Sequence, residues 1–138
     1  MPFDGEGFAV GDRVSKIDQV IDLLATPDRW CKGHFKKPDG SYCIRGAMMA
    51  VGADESLKPI VLQAIRDVTR RRYLRIESFN DHPYTRYPEV RRVLARARQL
   101  VVNGWTPEMA PAHAGWSALI EALRNSISRN VGARSHTA

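Results

Sequence analysis

The stretch Val90-Arg91-Arg92-Val93-Leu94-Ala95-Arg96-Ala97-Arg98-Gln99-Leu100-Val101 decides the fold class. Val90, Val93, Leu94, Ala97, Leu100 and Val101 recur at intervals of three and four. They fall on one side of a helix and leave the arginines on the other. Such a stripe stabilises a helix only when another element covers it. Working backwards, Ile60, Val61, Ala64, Ile65 and Val68 form a second stripe, with Pro59 tolerated in the first turn. Val14, Ile17, Ile21 and Leu24 form a third, with Asp12 placed to cap it and Thr26-Pro27 to stop it. Arg45 to Val51 reads as a short helix of small residues ended by Gly52, and Ser78 to Tyr84 as a polar connection. Working forwards, Asn103-Gly104 ends the long helix. Trp116, Leu119, Ile120, Leu123 and Ile127 predict a last one.

Pro38-Asp39-Gly40 lies between His34-Phe35-Lys36-Lys37 and Ser41-Tyr42-Cys43-Ile44, and predicts a tight turn joining two short strands. The expected architecture is mainly α: a compact bundle of about five helices with one small β-hairpin at about residues 34–44. Its expected core is Val14, Ile17, Ile21, Leu24, Ile60, Val61, Ile65, Val68, Val90, Leu94, Ala97 and Leu119. Residues 1–12, with Gly5, Gly7 and Gly11, read as a flexible arm. Residues 13–130 read as one helical domain and 131–138 as a tail.

The chain has 138 residues, 43% apolar and 26% charged, with two cysteines. A domain of this length buries roughly two-thirds of its unfolded surface, so it needs no metal or disulfide framework to fold. No apolar run reaches the roughly 18 residues of a transmembrane helix, so no membrane partner is expected. Met1-Pro2-Phe3-Asp4-Gly5-Glu6 is acidic and Gly-rich, unlike a secretory signal, and a cytoplasmic location is expected. The net charge of +6 is unevenly placed. Residues 1–65 carry 8 basic and 9 acidic groups, residues 66–98 carry 10 and 4, and residues 99–138 carry 3 and 2. All ten basic groups of 66–98 are arginine, whose planar fork suits phosphates and carboxylates.

Three short clusters punctuate the chain: Trp30-Cys31-Lys32-Gly33, Cys43-Ile44-Arg45-Gly46-Ala47 and Asn80-Asp81-His82-Pro83-Tyr84-Thr85. Their order and spacing, over Val14 to Gly104, resemble a family of small uncharacterised bacterial and phage proteins sharing Trp-Cys-x-Gly, Cys-x-x-Gly-Ala and Asn-Asp-x-Pro-x-Thr elements. The resemblance implies a fold more than an activity.

Cys31, His34 and Cys43 offer three metal ligands, but zinc takes four, commonly at paired short spacings. No metal site and no cofactor is expected, since neither a P-loop nor a G-x-G-x-x-G occurs. A disulfide is not expected either. If Lys37 pairs with Ser41, Cys43 sits opposite Phe35. Cys31 then lies four residues further along, beyond the roughly 7 Å bridging limit if that stretch stays extended. Two buried thiols acting as small hydrophobes are the ordinary reading. The alternative is a small enzyme using Cys31, His34, Asp81 or His82 in a cleft, although no complete catalytic constellation is present.

Asn80 to Thr85 reads first as a helix entrance. Asn and Asp fold back on backbone N–H groups, Thr85 is placed to cap, and Pro88 and Glu89 suit a first turn. A functional reading has Asp81, His82 and Tyr84 sharing a cleft. The arginines carry the remaining signal. Arg70, Arg71, Arg72 and Arg75 follow the second apolar stripe. Arg91, Arg92, Arg96 and Arg98 line the polar side of the long helix, with Asp67–Arg71 and Glu89–Arg92 as local ion pairs. Tyr73 and Tyr87 lie among them. The expected function is non-catalytic binding of an acidic protein surface or a nucleic acid through Arg70, Arg71, Arg72, Arg75, Asp81, His82, Tyr84, Arg91, Arg92 and Arg96. Trp105 and Trp116 fit either a lid or a dimer surface, which leaves a homo-oligomer open.

Overall fold

The computed structural model describes residues 5–109, with side chains from Val10 onward. Five α-helices follow one another: α1 (Gly5–Leu23), α2 (Ile44–Ala50), α3 (Leu57–Thr69), α4 (Ile76–Asn80) and α5 (Tyr87–Val102). The chain divides after Trp105. Beyond that point the described residues form a 3-10 turn, Pro107–Met109. The boundary falls inside the 13–130 stretch read as one domain. The helix expected around Trp116 to Ile127, and the core position Leu119, lie outside the described residues.

Helix α5 packs on α3 and α1, α2 on α1 and α4, and α4 on α3. The expected stripe of α5 is buried from Val90 to Val101. In α3 the buried residues are Leu57, Ile60, Val61, Ala64 and Ile65, with Val68 at the margin. In α1 the fully covered residues are Ile17 and Val20, joined by Leu24 just past its end, while Val14 and Ile21 are only partly covered. The stripe is therefore rotated from the expected one, and Val20 takes the central place. Helix α1 begins at Gly5, within the stretch 1–12 read as an arm, and runs through Asp12 rather than being capped by it.

Two expectations need correction. Residues 76–80, which overlap the start of the polar connection expected over Ser78 to Tyr84, form helix α4, whose Ile76 and Phe79 are buried. Complete burial of a side chain the size of Phe79 contributes about 2–3 kcal/mol. The β-hairpin at 34–44 does not form, and the described residues contain no strand. Lys37 N–H donates to the Ser41 carbonyl (2.9 Å) and Cys43 N–H to the Phe35 carbonyl (3.2 Å), which is the expected pairing. The ladder stops there because the Asp39 carboxylate takes the Ser41 N–H (2.9 Å) and hydroxyl (2.6 Å). A local side-chain acceptor has competed with strand pairing.

The same segment makes a second, parallel contact. Tyr42 N–H donates to the Arg29 carbonyl (2.8 Å), and Cys31 N–H donates to the Tyr42 carbonyl (3.0 Å). Isolated bridges on both sides of Tyr42, to Trp30 and to Lys36, are the only β-type pairing described. Residues 30–36 therefore loop around it, reversing at Gly33, where φ is +80°. Glycine adopts that conformation without steric cost.

Candidate functional site

The three clusters converge on the side chain of Asn80, which is completely buried. Its Oδ1 accepts from the Trp30 indole N–H (2.7 Å) and the Ile44 N–H (3.0 Å). Its Nδ2 donates to the Cys31 carbonyl (3.0 Å) and to Asp81 Oδ1 (2.9 Å). Asp81 Oδ1 also accepts the Gly33 N–H (2.9 Å), and Lys32 Nζ donates to the His82 carbonyl (2.7 Å). Gly46 completes the arrangement, because a Cβ there would stand 1.8 Å from the Phe35 carbonyl oxygen. Thr85 does not cap α5. It is buried and donates its hydroxyl to the Phe79 carbonyl (2.7 Å), while Arg86 takes the cap position with no side-chain bond.

Two clefts open on this framework; of the expected binding residues, one takes Asp81 and the other Arg71, His82 and Tyr84, and the remaining arginines line neither. A cleft of about 270 Å³ is lined by Gly33, His34, Phe35, Cys43, Glu77 and Asp81. A second, of about 220 Å³, is lined by Thr69, Arg71, Tyr73, His82, Tyr84, Thr85 and Glu89. Asp81 thus lies apart from His82 and Tyr84. The four residues of the enzyme reading do not meet in one cleft. Cys31 is buried and donates its S–H to the His34 carbonyl (3.5 Å). Cys43 caps α2, its sulfur accepting the Gly46 N–H (3.2 Å), and burial pushes its thiol up. Among the described residues, no three His, Cys, Asp or Glu side chains converge as metal ligands.

In the second cleft, rings form a chain. Tyr73 meets Phe79 edge-on at 5.8 Å, His82 meets Tyr73 at 6.2 Å, and Tyr84 lies 5.7 Å from His82. The Tyr84 N–H donates to His82 Nδ1 (3.1 Å), which leaves Nε2 as the ring's donor. Tyr84 is 80% exposed, and Leu74 of the 70–75 segment is 89% exposed. Tyr87, which with Tyr73 lies among the arginines in sequence, is not part of this chain of rings. The Tyr87 hydroxyl is committed to the Leu24 carbonyl (2.6 Å) and its ring lies 6.3 Å from that of Trp30.

The arginines separate in the same way. Arg96 pairs with Asp67 of α3 (2.9 Å) and Arg98 with Asp18 of α1 (2.6 Å). Arg91 donates to the Ala25 carbonyl (3.0 Å) and lies 6.0 Å above the Tyr87 ring. These three tie α5 to its neighbours. The expected pairs Asp67–Arg71 and Glu89–Arg92 are not formed, since helix packing gives Asp67 a closer partner 29 residues away. Arg70, Arg71 and Arg75 are exposed in the 70–75 segment, which also holds Arg72, and Arg71 lines the second cleft. Arg92 is exposed on α5 and bonds to no other described side chain.

A family model described as a family of unknown function (DUF6197) matches residues 14–100. The chain belongs to that family. The DUF6197 segment contains all three clusters, Asn80 and every lining residue of both clefts. Neither a curated protein nor a solved structure matches the chain. Among the described residues, no helix is long and apolar enough to cross a membrane.

Proposed function

We propose that this protein is a non-catalytic binding module that takes a nucleic-acid strand at the cleft between the 70–75 loop and the 82–86 loop. The observation that carries the reading is the juxtaposition of exposed Tyr84 and half-buried His82 and Tyr73 with Arg71 in one cleft. Exposed aromatic faces stack bases, and arginines beside them neutralise phosphates. Arg70 and Arg75 extend the basic surface. Glu89 brings one carboxylate into the same cleft, so the positive excess belongs to the loop. An acidic protein surface would use the arginines but leave the ring faces without a role. A small enzyme has less support, because only His34 and Asp81 share a cleft, while Cys31 is buried and His82 lines the other one.

Fluorescence anisotropy with labelled single-stranded RNA and DNA tests the proposal. Affinity is expected to fall with salt, and each arginine removed is expected to lower the log–log slope by roughly 0.7. An Arg71→Ala, Arg75→Ala variant should bind more weakly and with a shallower slope. No anisotropy change at low salt would overturn the reading.

A further inference from the structure

Cys31 and Cys43 stand opposite one another. The hydrogen bonds from Tyr42 to Arg29 and from Cys31 to Tyr42 are those of a parallel pair with Trp30 facing Tyr42. The next residues in that register are Cys31 and Cys43. Paired backbones run about 4.8 Å apart, inside the roughly 7 Å Cα separation a disulfide can span. Side chains alternate along extended chain. Trp30 and Tyr42 are partly covered, whereas Cys31 and Cys43 are 5% and 3% exposed, so both thiols turn inward. The expectation that they lie too far apart assumed an extended chain from Cys31 to Phe35. The reversal at Gly33 removes that assumption. Both cysteines are free thiols here.

We infer that Cys31 and Cys43 form a redox modification site, a dithiol that closes to an intramolecular disulfide by exchange with a small disulfide such as oxidised glutathione. Cys43 lines the cleft beside Gly33, His34 and Phe35, so it is the thiol approached from that side; its burial, which pushes its pKa up, makes the exchange slow. Its thiolate attacks one sulfur of the glutathione disulfide. That S–S bond breaks, one glutathione leaves as its thiolate, and a mixed disulfide remains on Cys43. The Cys31 thiolate then attacks the Cys43 sulfur and expels the second glutathione. Two protein thiols are oxidised, one glutathione disulfide is reduced, and the two thiol protons pass to the departing glutathiones. Closure withdraws the Cys31 S–H from the His34 carbonyl and the Cys43 sulfur from the Gly46 N–H. The Cys43 sulfur is the one that caps α2, so oxidation changes the group at the start of that helix.

The test equilibrates the full chain with mixtures of oxidised and reduced glutathione, quenches with acid, alkylates in denaturant and measures intact mass and peptide maps. The expected product is two hydrogens lighter, resists alkylation at both cysteines and gives one cross-linked peptide containing Cys31 and Cys43. A Cys31→Ser variant should stop at a glutathione adduct on Cys43. Wild type that retains two alkylatable thiols, accumulates only the glutathione adduct or cross-links between chains overturns the inference. The wild-type mass decides the matter whether or not the variant folds.

Discussion

The indole N–H of Trp30 donates to the side-chain carbonyl of Asn80 at 2.7 Å, across 50 residues of chain. The same amide holds the first turn of α2 through Ile44 and the chain at Cys31. One buried side chain thereby fixes three segments that hydrophobic contact alone would leave free to slide.

Asn80→Ala should therefore cost more than an ordinary polar substitution. It leaves two N–H donors and one carbonyl without their partner at a site closed to water, each costing about 1–3 kcal/mol before relaxation. A total loss of roughly 3–5 kcal/mol is expected by urea denaturation. Asn80→Asp keeps the oxygen but sets a carboxylate beside Asp81. Its deficit should narrow as pH falls and the new carboxyl takes up a proton. A midpoint unchanged in both variants would show that Asn80 does not organise the fold.

Gly46→Ala should be severe for a different reason. The added methyl would meet the backbone of Phe35, with the carbonyl carbon at 2.6 Å, and backbone cannot rotate away. Overpacking of well-filled sites costs typically 1–3 kcal/mol, and a backbone collision belongs at or above the upper end. Thermal unfolding reads the loss. Ala47 in the same helix is the control, where conversion to Gly should cost only about 1 kcal/mol beyond the lost methyl contact.

Arginine substitutions should split into two groups. Arg96→Ala breaks the tie from α5 to Asp67 and should lower stability slightly, by up to about 1 kcal/mol for a partly exposed pair, with little change in nucleic-acid affinity. Arg71→Ala should leave the unfolding midpoint in place and weaken binding at low salt. Equal effects of both variants on binding would assign the affinity to overall charge rather than to the cleft.

The Asp39 carboxylate is held below its ordinary range by the Ser41 hydroxyl and then by the Ser41 N–H. A group whose folded pKa is depressed adds stability above its unfolded value of about 3.8 and loses it as pH falls through the folded value. The gap between wild type and Asp39→Asn should stay level from about pH 5 upward and shrink in acid below that range. Carboxyl NMR titration should move the Asp39 midpoint upward in Ser41→Ala, and an unmoved midpoint would remove the hydroxyl as the cause.

Repetition made α3 and α5 legible: five or six apolar residues at helical spacing leave one solution. Helix α4 was not legible, because Ile76 and Phe79 supply one spacing in five residues and the segment is helical only where it packs on α2 and α3. Pro38-Asp39-Gly40 announced a turn, yet nothing in the sequence weighed the Asp39 side chain against strand pairing. In the candidate site, Arg71, His82 and Tyr84 were legible as residue types. Their separation from Asp81 was not, since it follows from Asp81 turning back to Gly33, 48 positions away. The same limit hid Arg96–Asp67 behind local pairs.

Arg70 ends α3 in the left-handed conformation, at φ 62°, the only non-glycine with positive φ among the described residues. A side chain costs about 1 kcal/mol there relative to glycine. At this one position, charge and conformational ease oppose each other. Exchanging Arg70 for glycine would make the helix stop easier to form while removing a cation from the loop. Most surface lesions weaken recognition and folding together; this one would separate them, giving a sturdier protein with a poorer grip.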